Sequence, residues 1–341
     1  MENNSFSRIL AIESSCDETA AAIMENGTKL LSSVVASQIE LHERYGGVFP
    51  EVASRQHVLS ILPVVKRCLE DAHMSLKDMN AIAVTSGPGL AGSLVVGLNT
   101  AKGLAIGANK PLIGINHLEG HIYSAWIGKD QDFLSDFPLL ILLVSGGHTE
   151  LILMKDHLRF ERLGKTRDDA AGEAFDKTAR LIGLGYPGGP KLELLAMEGD
   201  DAKFKFPIAK LDDEFDFSFS GLKTAVLRVV KDYEKKQVTL PSADIAASFQ
   251  KAVVDSLYEK TILAADRFLV KGIIIAGGVS ANKALRSRFY EVDDIPIVFP
   301  ELEFCTDNAA MIGAAAHHRY LRGAFTNLDI DVLPNWEIPS V

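Results

Sequence analysis

Asn116-His-Leu-Glu-Gly-His121 places two imidazoles four residues apart. On a helix, at ~100° per residue, His117 and His121 lie about 40° apart, so both can point at one metal ion. Such a pair needs a third ligand from elsewhere in the chain. Phe304-Cys-Thr-Asp-Asn-Ala309 offers Asp307 near the start of an alanine-rich helix, either as a simple cap or as that missing ligand. Spacing does not decide between the two.

The same histidine spacing serves zinc peptidases, but there the glutamate directly follows the first histidine. Glu119 instead sits two residues after His117, about 200° round the helix, where it cannot easily act as base on a metal-bound water. Peptidase chemistry is disfavoured.

Turns poor in side chains supply a second kind of chemistry, because bare backbone N–H groups can approach a phosphate or carboxylate. In Leu143-Val-Ser-Gly-Gly-His-Thr149 a strand runs into a Gly-Gly turn, with the Ser145 hydroxyl alongside. Tyr186-Pro-Gly-Gly-Pro190 could lie under a ribose or merely turn the chain. In Ile274-Ile-Ala-Gly-Gly-Val-Ser-Ala-Asn-Lys-Ala-Leu-Arg286 a buried strand meets Gly277-Gly278, Ser280 is expected to cap a helix, and Asn282 is placed to bond a nucleotide's sugar or base. Asp168, Asp169, Glu173 and Asp176 read as a carboxylate-rich helical stretch, a solvated face or a hold on a substrate ammonium or hydroxyl. Gly87-Pro-Gly-Leu-Ala-Gly92 is assigned to helix packing. His317 and His318 are expected at the surface, and Met24, Met154 and Met311 in the core.

Elements must bring these residues together. Ile9–Ile12, Ala81–Thr85, Leu139–Val144, Glu150–Met154, Ile273–Ala276 and Ile295–Phe299 read as strands. Helices are expected over Val58–Ala72, Ser93–Ile106, Ala170–Ile182, Ile245–Phe268 and Asn308–Leu321. The alternation argues an α/β architecture with a partly parallel sheet. The runs from Ile9 and from Leu140 echo each other, each an apolar strand, a small polar turn and a second strand-like run, which suggests two similar lobes facing across a cleft.

With 341 residues, 47% apolar and 23% charged, the chain excludes disorder and small disulfide scaffolds and has room for about two domains. Thirty-five basic against forty-five acidic residues give a net charge of −10, which argues against a nucleic-acid protein unless a basic patch or partner intervenes. Cys16, Cys68 and Cys305 are scattered, as expected of free thiols in a reducing cytoplasm. No signal peptide and no apolar run approaching the ~18 residues of a membrane span is present, so no membrane partner is expected.

The ordered set Glu13-Ser-Ser-Cys-Asp-Glu-Thr19, His117-Leu-Glu-Gly-His121, Leu143-Val-Ser-Gly-Gly147, Gly172-Glu-Ala-Phe-Asp-Lys177, Tyr186-Pro-Gly-Gly-Pro190, Phe217-Ser-Phe-Ser-Gly-Leu-Lys223, Gly277-Gly-Val-Ser-Ala-Asn-Lys283 and Cys305-Thr-Asp-Asn308 resembles the TsaD (Gcp) family of tRNA threonylcarbamoyladenosine transferases. The likeness runs from about residue 8 to about residue 322.

That resemblance implies the two-lobed fold shared by actin, Hsp70 and sugar kinases. The lobes would be residues 1–115 with about 305–325, and 116–304 with a helical insertion near 165–240, followed by an irregular tail over 326–341. It implies transfer of a threonylcarbamoyl group from threonylcarbamoyl-AMP to N6 of adenosine 37 in tRNAs reading ANN codons. His117, His121 and Asp307 match the family's ligands for one metal ion, usually iron, with zinc or magnesium as alternatives. Leu143, Val144, Ser145, Gly146, Gly147, Asp176, Gly189 and Asn282 match its substrate-contacting positions. Glu193 stands where many relatives carry an aspartate directed at the ribose. Asp17 and Glu18 match acidic positions associated with activity, with Asp17 assigned to proton removal from N6. A TsaB-like paralogue and a TsaE-like ATPase are the implied partners. The rival reading is an ATP-dependent kinase or ATPase of the same superfamily, which has no need of the paired histidines.

Overall fold

Uninterrupted apolar runs become central strands, because strands covered on both faces leave no place for polar side chains. The computed structural model describes residues 6–130 and 134–338. Its first stretch runs β1 (Arg8–Glu13), β2 (Glu18–Glu25), β3 (Lys29–Ser37), α1 (Ile39–Glu43), α2 (Pro50–Asp71), β4 (Ala81–Gly87), α3 (Ala91–Ala108), β5 (Leu112–Asn116) and α4 (His117–Tyr123). There follow β6 (Leu139–Val144), β7 (Thr149–Asp156), β8 (Arg159–Lys165), α5 (Ala171–Leu181), α6 (Gly188–Ala196), α7 (Ser220–Lys236) and α8 (Ser242–Phe268). The chain closes with β9 (Gly272–Ala276), α9 (Lys283–Phe289), β10 (Ile297–Val298) and α10 (Ala309–Leu321). Among the described residues no helix is long and apolar enough to cross a membrane.

Two five-stranded sheets form, with orders β3-β2-β1-β4-β5 and β8-β7-β6-β9-β10. The orders are the same. In each, an antiparallel meander (β1-β2-β3, β6-β7-β8) is extended by parallel strands (β4-β5, β9-β10). The echo between the runs from Ile9 and Leu140 is therefore the visible part of a repeated plan. The strands without apolar runs, β3 and β8, are edges, where alternation and charged residues such as Arg159, Glu161 and Arg162 suit a half-solvated position.

The described residues group into two compact units, one drawn from the chain up to Ser135 and again from Pro300, the other from Asp136–Phe299. The resemblance implies lobes that divide at 115 and 304, and residues 1–5 and 339–341 of its outer lobe and tail lie outside the described residues. The first unit keeps α4 because α4 packs on α10, and α10 in turn packs on β1 and β2. Its core joins Leu10, Ile12, Ile23, Ile82 and Val84 to Val64, Leu98 and Ala101 of the flanking helices. The second core joins Leu140, Leu142, Ile273 and Ile275 to Phe175, Leu192, Phe249 and Val253.

The expected irregular tail has a structural task. Gly114 N–H donates to Thr326 Oγ1 at 2.8 Å, and Leu333 N–H to the Ser86 carbonyl at 2.8 Å, which ties the tail to β5 and β4. The histidines of α10 are also placed differently from expectation. His317 is buried, with its Nδ1 2.7 Å from Ser7 Oγ, and His318 stacks on Tyr123 at 4.7 Å. Met24, Met154 and Met311 are fully buried.

Candidate metal centre and glycine-rich turns

The strand β5 leads directly into α4, all seven residues of which are buried. Asn116 makes that junction. Its Oδ1 accepts from Leu118 N–H at 2.9 Å as the helix cap, while its Nδ2 donates to the carbonyls of Trp336 (3.2 Å) and Glu337 (3.3 Å) in the tail. Gly120 lets α4 approach α10 closely, since a Cβ there would come within 2.8 Å of Ile312 Cδ1. Four residues apart on α4, His117 and His121 sit edge to face, with ring centroids 4.8 Å apart.

At the start of α10 the two roles left open for Asp307 separate. Asn308 is the cap, its Oδ1 accepting from Met311 N–H at 3.0 Å. Asp307 Oδ1 instead lies 3.2 Å from His121 Nε2 and 3.4 Å from His117 Nε2. Two donors each ~2.1 Å from a common ion, at tetrahedral to octahedral angles, are themselves about 3.0–3.5 Å apart. Two imidazole nitrogens and a carboxylate also match the donor preference of divalent first-row ions. The residues present therefore fit a metal.

The electrostatics agree. Burial resists ionisation of Asp307, but the His117 and His121 imidazoles hold its carboxyl far below the usual carboxylate range. Burial likewise disfavours the His117 imidazolium, yet the Asp307 and Glu13 carboxylates raise its pKa well above the ordinary value. A pocket that stabilises positive charge so strongly is one where a cation can replace the proton. Glu119 points elsewhere, its two carboxylate oxygens each 2.8 Å from Arg319 Nη2, and takes no part in the cluster.

Glu13 was not singled out from sequence. It is fully buried, with Oε2 3.0 Å from His117 Nδ1. The available signal was one acidic residue closing the otherwise apolar run of β1. Asp17 lies in the turn after β1, next to Cys16, whose thiol pKa rises through burial and the neighbouring Asp17 and Asp307 charges. Glu18 opens β2 and accepts from Ser37 Oγ at 2.7 Å.

In the second unit the expected substrate positions lie around the ends of β6, β9, α5 and α6. Leu143 and Val144 are buried strand residues whose side chains belong to the core, and the exposed part of that segment is Gly146-Gly147. Ser145 closes the turn, its N–H donating to the His148 carbonyl at 2.8 Å. Gly172 packs under it, because a Cβ there would meet the Ser145 carbonyl oxygen at 2.7 Å and Gly146 Cα at 2.8 Å. Gly277 has φ +92° and abuts the Val144 carbonyl, so the glycine turn after β9 sits against the one after β6.

The polar side chains there are already engaged. Asp176 Oδ1 accepts from Gly188 N–H (2.8 Å) and Gly189 N–H (3.0 Å) at the start of α6, and burial raises its pKa. Glu193 Oε1 accepts from Lys283 N–H at 2.7 Å, tying α6 to α9. Asn282, not Ser280, caps α9: its Oδ1 accepts from Leu285 N–H at 2.9 Å and its Nδ2 donates to Gln250 Oε1 at 2.8 Å. Ser280 lies in a short 3-10 turn ahead of that helix. Asp168 and Asp169 precede α5 instead of lying on it. Asp168 accepts from the N–H groups of Phe219 and Ser220 at the start of α7, and Asp169 pairs with Lys177 and Lys223 at 2.7 Å each.

The order of both sheets and the helices that cover them define an α/β protein of the actin-like class. HypF of T. kodakarensis shares this fold with a TM-score of 0.62 at 16% identity, over 93% of this chain and 48% of that one. Component A of the (R)-2-hydroxyglutaryl-CoA dehydratase of Acidaminococcus fermentans shares it with a TM-score of 0.53 at 18% identity, over 93% and 99% of the two chains. Residues 29–314 match the TsaD family, described as tRNA N6-adenosine threonylcarbamoyltransferase. Proteins of that name are similar to this chain over nearly its full length. One from Dehalococcoides mccartyi is 52% identical, covering 98% of this chain and 100% of its own, and one from Clostridium botulinum is 53% identical over 97% of each. The chain belongs to the TsaD family. It is an acyltransferase that modifies tRNA by threonylcarbamoyl transfer to N6 of adenosine. With a net charge of −10, the tRNA contact falls to a local basic patch or a partner. Bulk charge describes the average surface and says little about one local contact area.

Proposed function

We propose that the chain transfers the threonylcarbamoyl group from threonylcarbamoyl-AMP to N6 of adenosine 37 in tRNAs reading ANN codons, with a metal ion held by His117, His121 and Asp307. The observation that carries this reading is the convergence of three ligand atoms, one from each residue, within 4.8 Å of one another. Iron is the proposed ion. When bound, it supplies Lewis-acid polarisation of a substrate oxygen.

The acyl donor is a mixed anhydride and already activated, so the protein's contribution is positioning and charge stabilisation. Backbone N–H groups of Gly146, Gly147 and the turn at Gly277-Gly278 would receive phosphate and adenosine. Leu143 and Val144 would contribute only main chain. Ser145 and Asp176 would face the threonine end, Gly189, Glu193 and Asn282 the nucleoside, and Asp17 would accept the N6 proton. A TsaB-like paralogue and a TsaE-like ATPase are the proposed partners, in the cytoplasm. The exposed apolar side of α2, formed by Val58, Leu59 and Leu62, supports a protein partner.

The test is nucleoside analysis of tRNA incubated with the protein, threonine, bicarbonate, ATP, a threonylcarbamoyl-adenylate synthase and the partners. Wild-type protein is expected to form the modified nucleoside and His117→Ala to form none. Undiminished yield from the variant would remove the cation site from the reaction.

A further inference from the structure

Glu13 ends β1 fully buried, and it is anchored at both oxygens. Oε1 accepts from Ser15 N–H at 2.5 Å, and Oε2 accepts from Thr85 Oγ1 at 2.6 Å. The same Oε2 lies 3.0 Å from His117 Nδ1. Ser15 Oγ also lies 3.1 Å from Nδ1, but a hydroxyl can donate or accept and selects no tautomer. An ionised carboxylate only accepts. A buried carboxylate so placed needs a proton on His117 Nδ1, so Nε2, the nitrogen facing Asp307 at 3.4 Å, is the one left to take a cation in place of a proton.

We propose that Glu13 is a positioning residue for the cation centre: it holds the proton on His117 Nδ1 and so presents Nε2 as a ligand. The inference rests on the reading of His117, His121 and Asp307 as a metal site. Carboxylate partners of this kind orient metal-bound histidines and sharpen their affinity.

Glu13→Gln isolates the effect, because its amide matches the carboxylate in shape. Ser15 N–H is a fixed donor and takes the amide oxygen, which turns the amide NH2 toward His117 Nδ1. The imidazole must then accept at Nδ1 and carry its proton on Nε2, where it blocks the ion. Zinc titration of the metal-free full-length chain should show Glu13→Gln binding about 10–100-fold more weakly than wild type. His121→Ala, which deletes a ligand, serves as the reference for loss of the site. If His121→Ala weakens zinc binding and Glu13→Gln, still folded by circular dichroism, binds as tightly as wild type, the positioning role is wrong and the metal site stands. If neither variant changes zinc binding, the metal-site reading itself fails. The wild-type zinc complex gives a second check that needs no variant. Nitrogen-15 spectra of its imidazoles should show His117 protonated at Nδ1 and zinc-bound at Nε2, and the reverse assignment would overturn the proposal.

Discussion

His121 Nε2 and Asp307 Oδ1 stand 3.2 Å apart, one carried by α4 and the other by the residue before the cap of α10. With His117 Nε2 at 3.4 Å from the same oxygen, the carboxylate is the common partner of both rings. Asp307→Asn keeps the volume and removes the charge. Losing a ligand costs more than the ~10–100-fold attached to a supporting partner, so affinity for the ion should fall by more than ~100-fold and the metal retained through purification should drop with it. Elemental analysis checks this, and full metal content in Asp307→Asn would place the ion elsewhere.

Proton release should accompany binding. In the ion-free pocket burial works against the His117 imidazolium, but Asp307 and Glu13 hold its pKa well above the ordinary value. The Nε2 proton therefore has to leave at neutral pH before a cation enters. Zinc affinity is expected to weaken about tenfold per pH unit as pH falls, with about one proton released per ion. Calorimetry in buffers of different ionisation heat measures that number directly, and zero release would contradict the account.

Glu18 gives a pH signature in stability. Burial pushes its carboxyl up to about 7 against the hydrogen bond from Ser37, with the Asp17 and Asp307 charges adding to the rise. A group whose folded pKa is raised binds its proton more tightly when folded. Its contribution is complete below about 4.5 and is lost as pH climbs through about 7. Glu18→Gln should match wild type at pH ~5 and exceed it at pH ~8 by on the order of 1–2 kcal/mol, the shift being discounted for partial exposure. Denaturant unfolding at the two pH values decides the point.

Gly172→Ala tests the glycine turn after β6 without touching the metal-ligand candidates. The added methyl meets the Ser145 carbonyl and Gly146 Cα, so the turn after β6 must shift. An overpacking cost of about 1–3 kcal/mol is expected, together with a roughly tenfold rise in KM for the acyl-adenylate, since misplacement of binding groups raises the cost of positioning. Metal content should stay unchanged. A variant with normal KM would remove this turn from substrate binding.

The isolated chain should bind tRNA poorly. Its net charge of −10 opposes the phosphate backbone, and counterion release can supply little affinity without clustered basic residues. Filter binding at moderate salt is expected to give a Kd weaker than ~1 μM. Submicromolar binding by the chain alone would show that it carries the necessary basic surface itself.

Apolar runs made the inner strands legible: Leu139–Val144 is read from sequence with the bounds that β6 has in the fold. The edges β3 and β8 were not legible, because an edge strand with one wet face has no continuous apolar run, and α7 had no bounds of its own within the helical insertion expected near 165–240, its last turns falling in the charge run Lys231–Lys236. The histidine pair was local and therefore visible. The Glu13–His117 contact spans 104 positions, and no period or spacing reports such a contact. Capping was the hardest to read: Ser280 and Asn282 both favour helix starts, and only the backbone shows that Asn282 holds the cap.

The first unit is interrupted in sequence while the second is continuous. A growing chain therefore finishes every strand of the second sheet before α10 has been made. On a ribosome, a chain halted after Phe299 would own the glycine turns and both imidazoles but lack Asp307, so the cluster of His117, His121 and Asp307 can form only after that point.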